Sequence, residues 1–392
     1  MKQYLSRVKE LFPYTRDLRR EFHRFPELGF EEIKTSEIIQ RELNQIPNVE
    51  VRSGIAKTGV LGVLEGSSPG KTILLRFDMD ALPVQEDTGL EFASQTKGKM
   101  HACGHDGHMA IGLTAARILA EDQEKLAGKL VFLFQPAEEG LGGASKMIEE
   151  GALRDPKPDI ALALHLWNEK PLGWLGITAG PVMSASDTFH LRIIGKGGHG
   201  GKPQEAIDPI IASAGVVNAI QSVVSREIHP LDSGVITVST IHAGEAHNVI
   251  PEFVTLSGTV RSFKEKTREL LIRRLQEVVE KTAAAHLCRA EISFEDISPA
   301  VVNDPGITEV VRKTAGELFP DHQIDREYQT MASEDMAWIL REIPGCYFFV
   351  GSANPEKGLD AKHHQPDFSF DEEALIDGLA LLVGAVHQLV KS

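Results

Sequence analysis

The sequence predicts an α/β protein: one domain on a largely parallel sheet, carrying an inserted α+β domain of ferredoxin-like β-α-β-β-α-β order. Three observations predict it. Short, nearly continuous apolar runs alternate with helical stretches in the first part of the chain, as strands buried on both faces do. After Gly180-Pro181 the runs give way to apolar/polar alternation, and after Ser298-Pro299 the first texture returns. At 392 residues the chain is long for one compact domain. The expected division is therefore residues 1–182 with 297–392 as the larger domain and 183–296 as the insert.

Each element follows from its local pattern. Tyr4, Leu5, Val8, Leu11 and Phe12 suit a helix, and a second is expected after Arg16. Residues 71–77, 128–134 and 159–165 are buried-strand runs, with a helix over 108–119 between the first two. This alternation of strands and helices gives a parallel sheet, whose ligands sit outside the carboxyl ends of the strands. In the insert, Phe189, Leu191 and Ile193 mark a half-exposed strand over 187–195. A helix over 209–226, strands over 234–241 and 252–263, a helix over 266–286 and a strand over 289–294 complete the β-α-β-β-α-β order. Beyond it come a helix near 305–318, a strand over 346–351 and a closing helix over 371–390.

Composition narrows the class. Hydrophobic residues make up 42% and charged residues 25%, which excludes a disordered or fibrous chain. The net charge of −15 argues against nucleic-acid binding, which needs a basic face. Cys103, Cys288 and Cys346 are too few for a disulfide framework and fit a reducing compartment. The first twenty residues are charged and hold no apolar signal core, and residues 375–386 are too short to span a bilayer and are broken by Asp377. A cytoplasmic protein with no membrane partner is expected.

The chemistry concentrates in a few segments. His101-Ala-Cys-Gly-His-Asp-Gly-His108 packs three His, one Cys and one Asp into eight residues. Imidazole and thiolate are ligands that zinc and similar ions accept, and a glycine-interrupted loop can fold them around one point. Gln135-Pro-Ala-Glu-Glu139 follows a buried strand. In extended backbone its two carboxylates point to opposite sides, so one can ligate a metal while the other takes a proton; alone, the pair also fits a solvated turn. His165 stands at another expected strand end, and His363-His364 in a loop before the last helix, where Asp371 is a candidate cap. Their convergence at the ends of one sheet favours a metal site over four unrelated polar loops. In the insert, His199 lies in a glycine-rich loop that no Lys-Ser/Thr completes into a phosphate cradle. Asn248 could meet a substrate carboxylate or mark a turn, and Arg261 could be an anion clamp or a surface cation.

Taken in order, several stretches resemble the M20 metallopeptidase family, in its amidohydrolase branch of N-acyl-amino-acid, hippurate and auxin-conjugate hydrolases. They are Arg20-Glu-Phe-His-Arg-Phe-Pro-Glu-Leu-Gly29, Arg76-Phe-Asp-Met-Asp-Ala-Leu-Pro83, Met100-His-Ala-Cys-Gly-His-Asp-Gly-His108, Gln135-Pro-Ala-Glu-Glu139, Gly197-Gly-His-Gly200, Asn248-Val-Ile-Pro251, Ser333-Glu-Asp335 and His364-Gln-Pro-Asp-Phe368. The resemblance implies two divalent metal ions per chain (manganese or zinc, with cobalt or nickel as alternatives) held by Cys103, His105, Glu139, His165 and His364. It implies Glu138 as the general acid/base acting on metal-activated water, and Asp78 as the carboxylate that orients a ligand. Arg76 stands where other branches carry a metal-binding His, and Cys103 where they carry a bridging Asp. By the same resemblance His199 polarises the scissile carbonyl, often from a partner subunit, while Asn248 and Arg261 hold the substrate carboxylate. The insert becomes a lid and dimerisation domain. The expected reaction is hydrolysis of the amide of an N-acetyl or N-benzoyl amino acid, in a homodimer. Close alternatives are a carboxypeptidase or dipeptidase on short peptides and an N-acetyl-diaminopimelate deacetylase. A non-catalytic metal-binding protein would have no need of Glu138 or of a lid bearing His199 and Asn248.

Overall fold

The computed structural model describes residues 2–390, and its chain divides into two compact units. The first comprises Met1–Val182, Val302–Gln329 and Asp335–Ser392, and the second Met183–Val301 with Thr330–Glu334. The short return segment counts with the second unit because Met183 bridges Thr330 and the Ser184 N–H donates to the Ala332 carbonyl at 2.9 Å.

In the first unit, eight strands among the described residues form one sheet in the order Val49–Ile55, Gly59–Glu65, Ala127–Gln135, Ser68–Asp78, Ile160–Pro171, Gly345–Ala353, Trp174–Gly176 and Gln323–Asp325. The four central strands are mutually parallel and buried over most of their length. Their nearly continuous apolar runs are those that predicted them. The two strands before residue 66 were not anticipated; the first, half-exposed and carrying Arg52 and Gly54, lacks the continuous apolar run. Helix His105–Glu121 packs on the sheet, apolar nearly all round, and Gly112 lies so close to Phe77 that a Cβ there would meet ring carbons at 2.6–2.8 Å.

Three expected boundaries shift. The opening segment is one helix, Lys2–Arg24, that continues through Pro13 because its apolar face (Val8, Leu18, Phe22) is buried on both sides of the proline. The helix expected over 209–226 is two, Pro209–Ala219 and Gln221–Arg226. The strand expected to end at His165 runs to Pro171, since Gly345–Ala353 goes on pairing with it. Arg76 pairs with Ala163, so Asp78 and His165 lie at the same height of the sheet.

The second unit holds a four-stranded antiparallel sheet, ordered Gly234–Ala243, Phe253–Ser262, Ala185–Ile194, Arg289–Ser298, with helices Pro209–Ala219 and Glu265–Ala285. This is the ferredoxin-like order the alternation predicts. Its core joins Phe189, Leu191, Ile193, Val254, Leu256 and Val260 to Val216, Leu271, Leu275 and Val279 of the helices. Among the described residues no helix is long and apolar enough to cross a membrane.

Candidate dinuclear metal centre

Chemistry-bearing residues gather where the central strands of the first unit end. Strand Ala127–Gln135 stops at Pro136, and Ala137 then takes a left-handed conformation, φ 56°. For a residue with a Cβ that costs roughly 1–2 kcal/mol. The turn reverses the expectation that extended backbone drives the two carboxylates apart. Glu138 and Glu139 instead each bring an oxygen within 4.8 Å of one His105 nitrogen and of each other.

Two further groups share one thiol. Ligand atoms of Cys103, His105 and His165 lie within 4.8 Å of one another, as do those of Cys103, Glu139 and His364. Cys103 Sγ is 3.5 Å from His165 Nε2, and His364 Nε2 is 3.4 Å from Glu139 Oε1. The imidazoles are aimed from behind. His105 Nδ1 lies 2.9 Å from the Asp80 carbonyl and His165 Nδ1 2.8 Å from the Leu166 carbonyl, so each Nδ1 is held as a hydrogen-bond donor and Nε2 is the ring nitrogen left for a metal. His105 Nε2 and Glu139 Oε1 are buried and make no hydrogen bond with any described residue. Orphaned lone pairs converging beside a thiol and two carboxylates make a donor set that fits two borderline divalent cations.

The local electrostatics agree with that fit. The close approach of Cys103 and Glu139 pushes His364 up to about 10. Burial, followed by the charge of Glu139, pushes the Cys103 thiol up. The site thus carries more anionic character than its own side chains neutralise. Burial and the neighbouring His108 and His363 push His165 down, which keeps its ring neutral and able to ligate. Of the adjacent pair His363 and His364, the first donates from Nε2 to the Leu166 carbonyl at 3.1 Å, and burial pulls it down to about 4.

Asp78 lies behind the site. Its short contact is with His108 Nδ1 (2.6 Å), while His105 Nε2 is 3.8 Å away. His108 in turn accepts the Leu166 N–H at 2.9 Å. Burial would raise the Asp78 pKa, but the charges of His105, His108 and Arg76 outweigh it and hold it well below the usual carboxylate range. Arg76, fully buried, donates to Asp78 (2.7 Å), Gln135 (2.8 Å) and Asp335 (2.8 Å). The Asp335 N–H in turn reaches a Glu138 oxygen at 3.4 Å. Asp80 uses its carbonyl on His105 and its carboxylate on the Glu139 N–H (3.0 Å). Sequence reasoning gave no role to Asp80, Asp335 or Glu32; the first two lie in motifs already singled out, which was the available signal.

The remaining candidates belong to the second unit. His199 is exposed on a two-residue strand, Gly198–His199, paired with Val249–Ile250, and Asn248 sits beside it with its carbonyl accepting the Gly200 N–H at 2.8 Å. Arg261 lies near the opposite end of strand Phe253–Ser262. At a rise of ~3.3 Å per residue that is roughly 26 Å of strand. Arg261 is half-buried, its Nη1 makes no hydrogen bond with a described residue, and burial draws its pKa down.

The sequence profile of Peptidase family M20/M25/M40 matches residues 74–388. Thermostable carboxypeptidase 1 of Saccharolobus solfataricus is 38% identical over 372 residues, spanning 94% of this chain and 93% of that one. IAA-amino acid hydrolase ILR1-like 4 of Arabidopsis thaliana is 38% identical over 381 residues, spanning 96% and 86%. A crystal structure of a dinuclear metal binding peptidase from the M20 family of Bacillus subtilis has a TM-score of 0.85 at 31% identity, over 98% of this chain and 99% of that one. The chain therefore belongs to the M20 peptidase family, and it is a metal-dependent hydrolase of amide bonds.

Proposed function

We propose that this enzyme hydrolyses the amide bond of N-acyl amino acids, releasing a carboxylate and the free amino acid. The observation that carries the reading is the place of Glu138: it lies within 4.8 Å of His105 and Glu139 but belongs to neither of the groups that share Cys103. Cys103, His105, Glu139, His165 and His364 would hold two divalent cations, manganese or zinc before cobalt or nickel. When bound, such a pair supplies an acidified water and polarises the scissile carbonyl. Glu138 takes the proton of the attacking water and returns it to the leaving amine. Asp80 and Leu166 keep the ligand imidazoles in the required tautomer.

In the same reading the second unit is a lid that supplies His199 to the developing oxyanion and Asn248 and Arg261 to the substrate carboxylate. The separation of Arg261 from His199 and Asn248 exceeds the length of an acyl amino acid, which supports two copies completing each other's sites. Strand Gly234–Ala243 supports the same dimer. It is an edge of the sheet, holds no Asp, Glu, Lys, Arg or Pro, and leaves Ile241 53% exposed, whereas the other edge, Arg289–Ser298, carries four charges.

The test is release of free amine from N-acetyl and N-benzoyl amino acids and from dipeptides, by chelator-stripped enzyme and after return of manganese, zinc or cobalt. Metal-dependent cleavage of the acyl amino acids is expected. Cleavage confined to peptides would overturn the substrate class in favour of a carboxypeptidase or dipeptidase, a reading that the Saccharolobus relative favours at the same 38% identity.

A further inference from the structure

A carboxylate outside the metal site grips the loop on which the reaction depends. Glu32 is wholly buried, and its Oε1 accepts the Ala137 N–H at 2.9 Å while its Oε2 accepts the Thr58 hydroxyl at 2.6 Å. Its position makes this use notable. Glu32 stands at the N-cap of helix Ile33–Asn44, where an acidic side chain ordinarily bonds the first free N–H groups, yet its side chain makes no capping bond. Glu27 serves that helix instead, accepting from the Lys34 N–H (3.2 Å), the Thr35 N–H (2.8 Å) and the Thr35 hydroxyl (2.9 Å). Glu32 is thereby left to reach across to Ala137. The chain before it presses on the same loop: a Cβ on Gly29 would lie 3.0 Å from Ala137 Cα and 2.7 Å from Leu141 Cδ1.

Ala137 is the left-handed residue that turns Glu138 and Glu139 toward His105. Its N–H is held by Glu32, and two residues on the Glu139 N–H is held by Asp80. We propose that Glu32 is a positioning residue of the reaction, fixing the turn at Ala137 and through it the placement of both Glu138 and Glu139. The inference rests on the roles given above to those two glutamates. Burial pushes the Glu32 carboxyl up to about 7 against the pull of its bonds to Thr58 and Ala137. A neutral amide of the same shape is therefore a fair replacement: Gln can accept from Ala137 and donate to the Thr58 oxygen.

The experiment compares Glu32→Ala, Glu32→Gln and Glu138→Gln in the full chain, by steady-state kinetics on an N-acetyl amino acid and by the visible absorption of the cobalt-loaded protein. Glu32→Ala is expected to lower kcat by about 10–100-fold with little change in KM, the range for groups that orient metal ligands. It should also shift the cobalt bands while two ions per chain remain bound, and Glu32→Gln should return both readouts toward wild type. Unchanged bands and kcat in Glu32→Ala, or a Glu32→Gln as impaired as Glu32→Ala, would overturn the inference. Should Glu32→Ala not fold, Thr58→Val removes the bond that aims the carboxylate; shifted bands and reduced kcat are expected, and unchanged bands overturn it. Glu138→Gln separates the two readings. Substantial activity there removes the general base, whereas an inactive Glu138→Gln beside a wild-type-like Glu32→Ala removes only the positioning role.

Discussion

Replacing Arg76 with Met is expected to destabilise the first unit at neutral pH far more than at acid pH. The guanidinium is 1% exposed and bonds two carboxylates, Asp78 and Asp335, each nearly as buried, besides Gln135. Met has a comparable stem but leaves both acids without that cation. Breaking a buried pair in this way costs about 3–5 kcal/mol, because a buried charge is left uncompensated. With a urea m value of about 3 kcal/mol/M, the unfolding midpoint falls by roughly 1–1.7 M. Trp167, Trp174 and Trp338, the three tryptophans of the chain, all lie in the first unit, so their fluorescence follows that unit in metal-stripped protein. The pH dependence follows from Asp78, whose folded pKa is held below its usual value despite burial, with Arg76 among the cations responsible. A depressed carboxylate contributes stability above its unfolded pKa and loses it as pH falls through the folded one. Without Arg76, Asp78 takes up its proton at higher pH, so the gap between variant and wild type should narrow from pH 7 toward pH 4. A midpoint within about 0.3 M of wild type at pH 7, small against the 1–1.7 M worked above, would refute the assignment of a buried ionic hub. A gap that does not shrink with acid would refute the electrostatic reasoning.

Two further outcomes are expected. Gly112→Ala drives a Cβ to 2.6–2.8 Å from the Phe77 ring carbons; overpacking of about 1–3 kcal/mol should lower the same fluorescence midpoint, and an unchanged midpoint would mean the helix can lift from the sheet. Mixing His199→Ala with Glu138→Gln, each inactive alone, should restore about a quarter of wild-type activity if half the dimers are mixed and one site in each is intact. No recovery from a verified mixed dimer would place His199 in its own chain's site, or in none.

The fold was legible where burial leaves a one-dimensional trace. Residues 71–77 and 128–134 read as strands because both faces of the sheet are covered, and the second unit read as alternating because one face is not. What failed to show is equally local. No residue type announces that Ala137 will be left-handed, and on that dihedral turned the reading of Glu138 and Glu139 as diverging side chains. His165 read as a strand end because its polar ring interrupts the apolar run, which resumes at Leu166-Trp167; the pairing that carries the strand to Pro171 comes from residues 345–353, far along the chain.

The same asymmetry divides the site itself. Metal-ligating atoms come from few side-chain types, so Cys103, His105, His165 and His364 stand out in any sequence as candidate ligands, and an acid beside them invites a role. The groups that aim them obey no such restriction. A backbone carbonyl (Asp80), a shared peptide (Leu166), a buried guanidinium and an acid at a helix start each do the work of orientation, and each is ordinary in sequence. Their partners are remote as well: Arg76 meets Asp335 across 259 residues and Glu32 meets Ala137 across 105. Orientation depends on distance and angle, which sequence order does not encode until the sheet has brought its strand ends together. If that division is right, variants of the supporting groups should alter how metals are held and how fast amides are cut, while leaving the ligand count unchanged.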